Sequence, residues 1–263
     1  MGTGTAIMSI RLEPQTEDNL PAGRGDHAVS SQGTTFAPWV EPTFRWLVAA
    51  LPMLGIYVVV RLGLLVADVL SAHSSYGSNL SAPLLAWDAH WYIQIASQGY
   101  PAHPLLADGH LTYNAANFLP FFPILVRLVE FVGLTPLGAG LVVSVVGGAA
   151  STLLVWRIGA VAFDDRTGRI AAVLFAVFPG MGIIWGSLYS ECVGLAVSAG
   201  CLLLLFRKRW VWAGLLGACA TLTSPMAVGP LTAAAATAAF LAWREGRGLR
   251  PLSAVFLVPM GFL

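Results

Sequence analysis

Residues 46–70 read WLVAALPMLGIYVVVRLGLLVADVL, an apolar run interrupted by only two charges, Arg61 and Asp68. As a helix rising 1.5 Å per residue it extends roughly 37 Å, enough to cross a hydrocarbon core of about 30 Å with some tilt. It begins too late and runs too long for a cleaved signal peptide, so it reads as a retained membrane span. Arg61 and Asp68 lie seven residues apart, close to one helical face. Ions at that depth call for partners on a neighbouring helix.

The rest of the composition agrees with this first span. Of 263 residues, 57% are hydrophobic and only 10% charged, against roughly one quarter charged in a soluble domain. The mean hydropathy is +0.74. Nine tryptophans and 28 glycines suit interfacial belts and close helix packing. A formal net charge of +1 argues against nucleic acid as a partner, because such binding rests on neutralising phosphates. Cys192, Cys201 and Cys219 all fall in apolar segments, where they read as small packing residues and not as a disulfide framework. Residues 1–45 lack periodicity and read as a disordered cytoplasmic tail. Residues 46–263 read as one membrane domain. The expected fold is therefore all-α, a polytopic transmembrane helical bundle.

Further apolar segments lie at about 119–131, 135–156, 170–186, 189–206, 211–224, 226–243 and 251–263. The first is short and carries two prolines and Arg127, so it should lie along the interface or fill a protein groove. Basic residues set the expected topology. Arg157, Arg166 and Arg169 fall in one connection, Arg207, Lys208 and Arg209 in another, and Arg244, Arg247 and Arg250 in a third. Together with Arg45 they occupy alternate connections, whereas 71–118, the turn near 186–189 and that near 225 hold no Lys or Arg. The positive-inside rule places the N-terminus in the cytoplasm and the 71–118 loop outside. Residues 71–131 then form an outer-face loop bearing interfacial helices. Segment 211–224 is only 14 residues, with Pro225 and Pro230 beyond it, and together with 226–243 it reads as a broken hairpin. The last run ends at Leu263 short of a full span, which fits either a short architecture or one with a further C-terminal part.

The chemistry concentrates in the outer loop. LLAWDAHWYIQIASQGY, residues 84–100, sets Asp88 beside Trp87 and two residues from His90. On a helix Asp88 shares a face with Tyr92, and Trp87, Trp91 and Ile95 form an adjoining apolar stripe. A carboxylate shielded by indoles is suited to proton abstraction near neutral pH. The same residues also fit a simple interfacial helix with an aromatic belt. His90 points away from Asp88 on an ideal helix. Arg127, which closes NFLPFFPILVRL, offers a planar fork for a lipid phosphate or snorkels to headgroups. Glu191, in GSLYSECVGLAV, suits the first turn of a helix capped by Ser187. Beside Tyr189, it is equally placed to hold a sugar hydroxyl or a divalent metal. His103, Asp108 and His110 give a weak metal-like spacing without a second ligand cluster. Asp164 and Asp165 read as a charged turn that starts a helix.

In combination these blocks resemble the glycosylphosphatidylinositol mannosyltransferase II family, including its actinobacterial relatives. The residues carrying the resemblance are Trp87, Asp88, Ala89, Trp91, Tyr92, Ile95, Ala96, Gly99 and Tyr100, then Phe121, Phe122, Pro123 and Arg127, then Phe178, Pro179, Tyr189, Ser190 and Glu191. The likeness runs from about residue 46 to 243. It implies a polytopic transferase of GT-C type that moves mannose from a polyprenyl-phosphate-mannose donor to a lipid-linked or glycan acceptor at the non-cytoplasmic face. It also implies that Asp88 is the base of an inverting displacement. Trp87, His90, Trp91, Tyr92, Arg127, Tyr189 and Glu191 would then contact substrate. In TLTSPMA, Ser224 stands where the family pattern has arginine and Ala227 where it has glycine. The chain is also shorter than is usual in the family. These departures define the alternative expectation, a catalytically degenerate homologue acting as a partner of another membrane protein.

Overall fold

The computed structural model describes residues 40–75, 79, 81–102, 106–107, 110–111, 114–181 and 186–263, with only the backbone at 40–47, 74–75, 106–107 and 110–111. The chain divides into two compact units, Met1–Glu41 and Pro42–Leu263, and the helical bundle belongs to the second. The tail expected over 1–45 lies outside the described residues as far as residue 39. The helix begins at Val40 and not at Trp46.

Helices dominate, and among the described residues three are long and apolar enough to span a membrane: Val48–His73, Pro136–Ala162 and Pro225–Arg244. The first lies within α1 (Val40–Ser75). Then come α2 (Ser81–Leu84), α3 (Ala89–Gln98), α4 (Phe121–Glu130), α5 (Pro136–Ala162), α6 (Asp165–Val177), α7 (Glu191–Phe206), α8 (Trp210–Thr221), α9 (Val228–Arg244) and α10 (Leu252–Leu257). Among the described residues the only strands are two-residue pieces, Leu106–Ala107 against His110–Leu111, paired antiparallel. The chain is thus a helical, membrane-associated bundle.

Local sequence explains the helix ends. Thr135 caps α5 by accepting from the Gly138 amide, and Pro136 takes the first helical position, where its missing N–H costs nothing. Asp164 caps α6 through the Thr167 amide at 2.7 Å. The helix expected to begin near residue 170 therefore starts at Asp165, and it ends at Val177, before Phe178 and Pro179. The break expected after 224 is present. A short 3₁₀ turn, Pro225–Ala227, separates α8 from α9.

Glycines set how closely the helices approach. A Cβ on Gly159 would fall 2.6 Å from the Cα of Gly168, so α5 and α6 touch backbone to backbone. A Cβ on Gly147 would fall 3.0 Å from the carbonyl carbon of Cys192, which puts the beginning of α7 against the middle of α5. Small residues at crossings admit this approach where association rests on packing and not on exclusion from water. The last segment folds back too. The carbonyl of Val258, a fully buried residue, accepts from Thr221 Oγ1 at 2.7 Å, and α10 rests on Gly214 of α8.

Long and short helices together leave a hollow. Gly147 lies eleven residues into α5, so α7 begins roughly 16 Å below the α5 N-terminus. Helices α3 and α4 fill that hollow. Tyr92, Ile95 and Ala96 of α3 join Phe122 and Val126 of α4, and Ala139, Val143 and Val193, in one buried cluster. Phe122 and Val126 are fully buried. The Phe121 amide donates to Leu222 O at 3.4 Å, tying the start of α4 to the end of α8. The 119–131 segment thus fills a protein groove, one of its two expected placements.

Candidate functional site

At this filled end of the bundle the chain from 81 to 92 meets the chain from 187 to 191. Four hydrogen bonds stitch them together. The Leu188 amide donates to Leu84 O at 3.0 Å, and Ser187 Oγ to Pro83 O at 3.3 Å. The Asp88 amide donates to Tyr189 Oη at 3.2 Å, and Ser190 Oγ to Tyr92 Oη at 2.8 Å. Buried polar groups are satisfied by partners of this kind, and each pairing fixes the position of a side chain.

Asp88 occupies the N-cap position of α3, yet its side chain makes no capping hydrogen bond. The helix N-terminus still favours its negative charge. The residue before it, Trp87, has φ +50°, a left-handed conformation that a bulky residue rarely adopts. Strain of this kind is retained only where the surroundings enforce it, and it gathers at functional sites. Here it turns the chain from α2 into α3 just before Asp88. It also removes Trp87 from the helical stripe on which it was expected, leaving the residue 66% exposed.

Glu191 opens α7 next to these groups. Its carboxylate oxygen Oε2 is buried and has no hydrogen-bond partner among the described residues. Ser187 does not cap this helix as expected. The cap position falls to Ser190, whose hydroxyl donates to Tyr92 instead. Burial pushes the Tyr92 phenol well above its usual range, and the Glu191 and Asp88 charges push the same way against the Ser190 hydrogen bond. Tyr189 is raised as well, first by burial and then by the same two carboxylates. Both phenols stay protonated, so each keeps an O–H to donate. The result is two acids and two phenols at one place, able to bind a polyhydroxyl ligand and to accept a proton from it.

The remaining expected residues divide. Trp91 is half-buried and stacks on Phe118 at 6.2 Å, supporting α3 from behind. His90 is exposed, and its Nδ1 bonds the Trp87 carbonyl, so it braces the strained turn. Arg127 lies elsewhere. It lines a cleft of about 400 Å³ with Gln98, Gly99, Tyr100 and Pro120, at the far end of α3. That helix has ten residues, placing Arg127's cleft roughly 15 Å from Asp88 along its axis. Arg127 is also paired with Glu130 at 3.0 Å.

Ser190 and Ser187 have structural parts that the sequence does not disclose. Their proximity to a helix start signals capping, and nothing local indicates partners about a hundred residues away. Arg61 is buried, and its three guanidinium nitrogens have no hydrogen-bond partner among the described residues. His103 and Asp108 lie outside the described residues, as does the side chain of His110. Among the described residues no three His, Cys, Asp or Glu side chains gather as metal ligands would. Compared with protein-family models, curated proteins and solved structures, the chain matches none.

Proposed function

We propose that the chain is a membrane glycosyltransferase of GT-C type, which moves a hexosyl unit, mannose by resemblance, from a polyprenyl-phosphate-sugar to a lipid-linked or glycan hydroxyl. One observation carries the reading. Two of the three sequence blocks behind the resemblance, WDAHWY and YSE, are bonded to each other through Asp88–Tyr189 and Tyr92–Ser190. In this reading the arginine-bearing connections face the cytoplasm and the Asp88 end faces outside.

In the reaction Asp88 takes the proton of the acceptor hydroxyl as its oxygen attacks the anomeric carbon. The new C–O bond forms while the bond to the polyprenyl phosphate breaks, and the phosphate leaves with the electron pair. A phosphate leaves without a strong general acid. Tyr92, Tyr189 and Glu191 hold sugar hydroxyls, so that nucleophile and base begin within reach of each other. Trp87, exposed beside Asp88, offers a flat apolar face to a sugar ring.

The test uses purified protein and radiolabelled polyprenyl-phosphate-mannose, comparing wild type with Asp88→Asn. The substitution keeps shape and removes the base, so transfer should fall by about 10²–10⁴-fold. Full activity in the variant would overturn the mechanism. A second reading, a non-catalytic homologue that partners another membrane protein, is favoured by Ser224 and by the distance of Arg127 from Asp88. It requires that the wild type release no polyprenyl phosphate from the same donor.

A further inference from the structure

The opposite end of the bundle holds a groove that the transfer chemistry does not use. It lies between α7 and α9, has a volume of about 430 Å³, and is lined by Leu202, Leu205, Phe206, Ala234, Ala238 and Leu241. That volume is within the range of roughly 300–1,000 Å³ typical of small-ligand sites. The gap has a simple origin. Along α9 the residues facing α7 include alanines one turn apart, at 234, 238 and 242, too short to reach the leucines opposite. The one hydroxyl on the wall, Thr237 Oγ1, donates to Ala233 O of its own helix at 2.9 Å, so the wall makes no polar demand on an occupant.

The mouth of the groove has the opposite character. Lys208 and Glu245 line it and bond each other at 2.9 Å, which holds the connection after α7 beside the one after α9. These two connections carry six basic residues, Arg207, Lys208, Arg209, Arg244, Arg247 and Arg250, and a single carboxylate, Glu245. All of them are exposed. Glu245 is already shared, accepting from Arg247 Nε at 2.7 Å as well as from Lys208. Most of the positive charge is left to meet solvent or a ligand. Lys208 itself is held at φ +57°, a conformation unusual for a side chain of its kind, in the turn at the mouth.

We propose that this groove binds one anionic phospholipid, its acyl chain between α7 and α9 and its phosphate against the arginines of the two basic connections. A free phosphate would have no use for the apolar wall, and a zwitterionic lipid would gain little from the cations. Basic pockets between membrane helices suit anionic headgroups for this reason. Guanidinium groups present paired donors to phosphate oxygens.

The experiment is native mass spectrometry of the full chain, purified in detergent and offered phosphatidylglycerol or phosphatidylcholine with identical acyl chains. Phosphatidylglycerol should be retained at a ratio near one, and phosphatidylcholine at least about tenfold less. Two variants probe the two halves. Ala238→Trp fills the groove, and the pair Arg207→Gln with Arg244→Gln removes charge from the two basic stretches next to Lys208 and Glu245 without touching the wall. Each should abolish the preference, and glycerol phosphate should not compete. Equal retention of both lipids, or a preference unchanged in the charge variant, would overturn the proposal. So would a dimer of the wild type that Ala238→Trp dissociates, since the groove would then seat a second copy. If Ala238→Trp fails to fold, the charge variant still decides. None of these outcomes depends on sugar transfer.

Discussion

The backbone N–H of Asp88 donates to the hydroxyl of Tyr189 across 101 residues of sequence. The constraint acts on the backbone and makes no use of the Asp88 carboxylate. Because Tyr189 is two residues from Glu191, the same contact that fixes the first acid sets the position of the second. The helix α7 carries Glu191 at its first residue, and α5 holds that end through Gly147 against Cys192. The geometry of the two acids thus depends on a long helix that carries neither.

Removing that hydroxyl should uncouple the acids without unfolding the bundle. Tyr189→Phe removes the Tyr189 oxygen from the Asp88 amide, a loss of about 0.5–1.5 kcal/mol. Transfer from the labelled donor should fall while helix content by circular dichroism stays at the wild-type level. An unchanged turnover would mean that the Asp88 backbone is held by other contacts.

The Ser190–Tyr92 hydrogen bond permits a cleaner measurement. Thermal stabilities of Ser190→Ala, Tyr92→Phe and the double variant form a cycle, and the coupling should be about 0.5–1.5 kcal/mol. A coupling near zero would show that the two hydroxyls do not act as a pair in the folded chain. Ser190→Ala retains the helix, because Ser190 makes no side-chain capping bond that its loss would remove.

The strained turn gives a prediction of opposite sign. Trp87 has φ +50° and is largely exposed. Trp87→Gly should therefore leave stability unchanged or raise it by up to about 1 kcal/mol, since glycine adopts this conformation without a steric cost. Trp87→Val should lower it. If transfer also falls in the glycine variant, the indole contacts substrate. If transfer is unaffected, the tryptophan serves only the turn.

Much of this is legible in the sequence, and the exceptions have physical causes. The first span is readable because 25 apolar residues have few alternatives. The sequence leads one to expect Asp88 and Glu191 on the same side of the bundle, but nothing in it pairs the Asp88 amide with Tyr189 or Tyr92 with Ser190. Periodicity, however, assumes that the helix runs through Trp87, and a single left-handed residue ends it there. The burial of α3 and α4 escapes the sequence because an amphipathic helix reads alike on a membrane surface and in a hollow of a bundle. That hollow arises from a difference in depth between α5 and α7, which is set by tertiary packing at Gly147. Arg127 shares the resemblance with Asp88, yet α3 separates them by its own length.

The crossing of α5 and α6 should tolerate little added bulk. Gly168→Leu would put a Cβ 2.4 Å from Trp156 O, a backbone atom that cannot yield. The variant should lose folded protein in detergent, judged by the monodisperse fraction in size-exclusion chromatography. Gly55→Ala is the control, because a Cβ there meets nothing within 4 Å. It should match or slightly exceed the wild type, alanine being the better helix former by about 1 kcal/mol. Equal yields of the leucine variant and the wild type would show that the helices can separate.

Acid should loosen the junction of α5 and α6. Asp165 accepts from Trp156 Nε1 at 2.8 Å and from Arg169 Nε at 2.7 Å. The indole hydrogen bond first, then that of the guanidinium, holds its carboxyl below the usual aspartate value. A folded-state pKa lower than the unfolded one means that ionised Asp165 favours the fold. Its contribution is complete above the unfolded aspartate pKa of about 3.9 and is lost as the pH falls through the depressed folded value. Melting temperature should therefore decline below about pH 4, and Trp156 fluorescence should change over the same interval as its partner is protonated. Asp165→Asn keeps an acceptor for the indole but removes the charge facing Arg169. In that variant the acid limb of the stability curve should flatten, with the loss confined to pH above the folded pKa. An acid limb that is identical in the two proteins would assign the decline to other carboxylates.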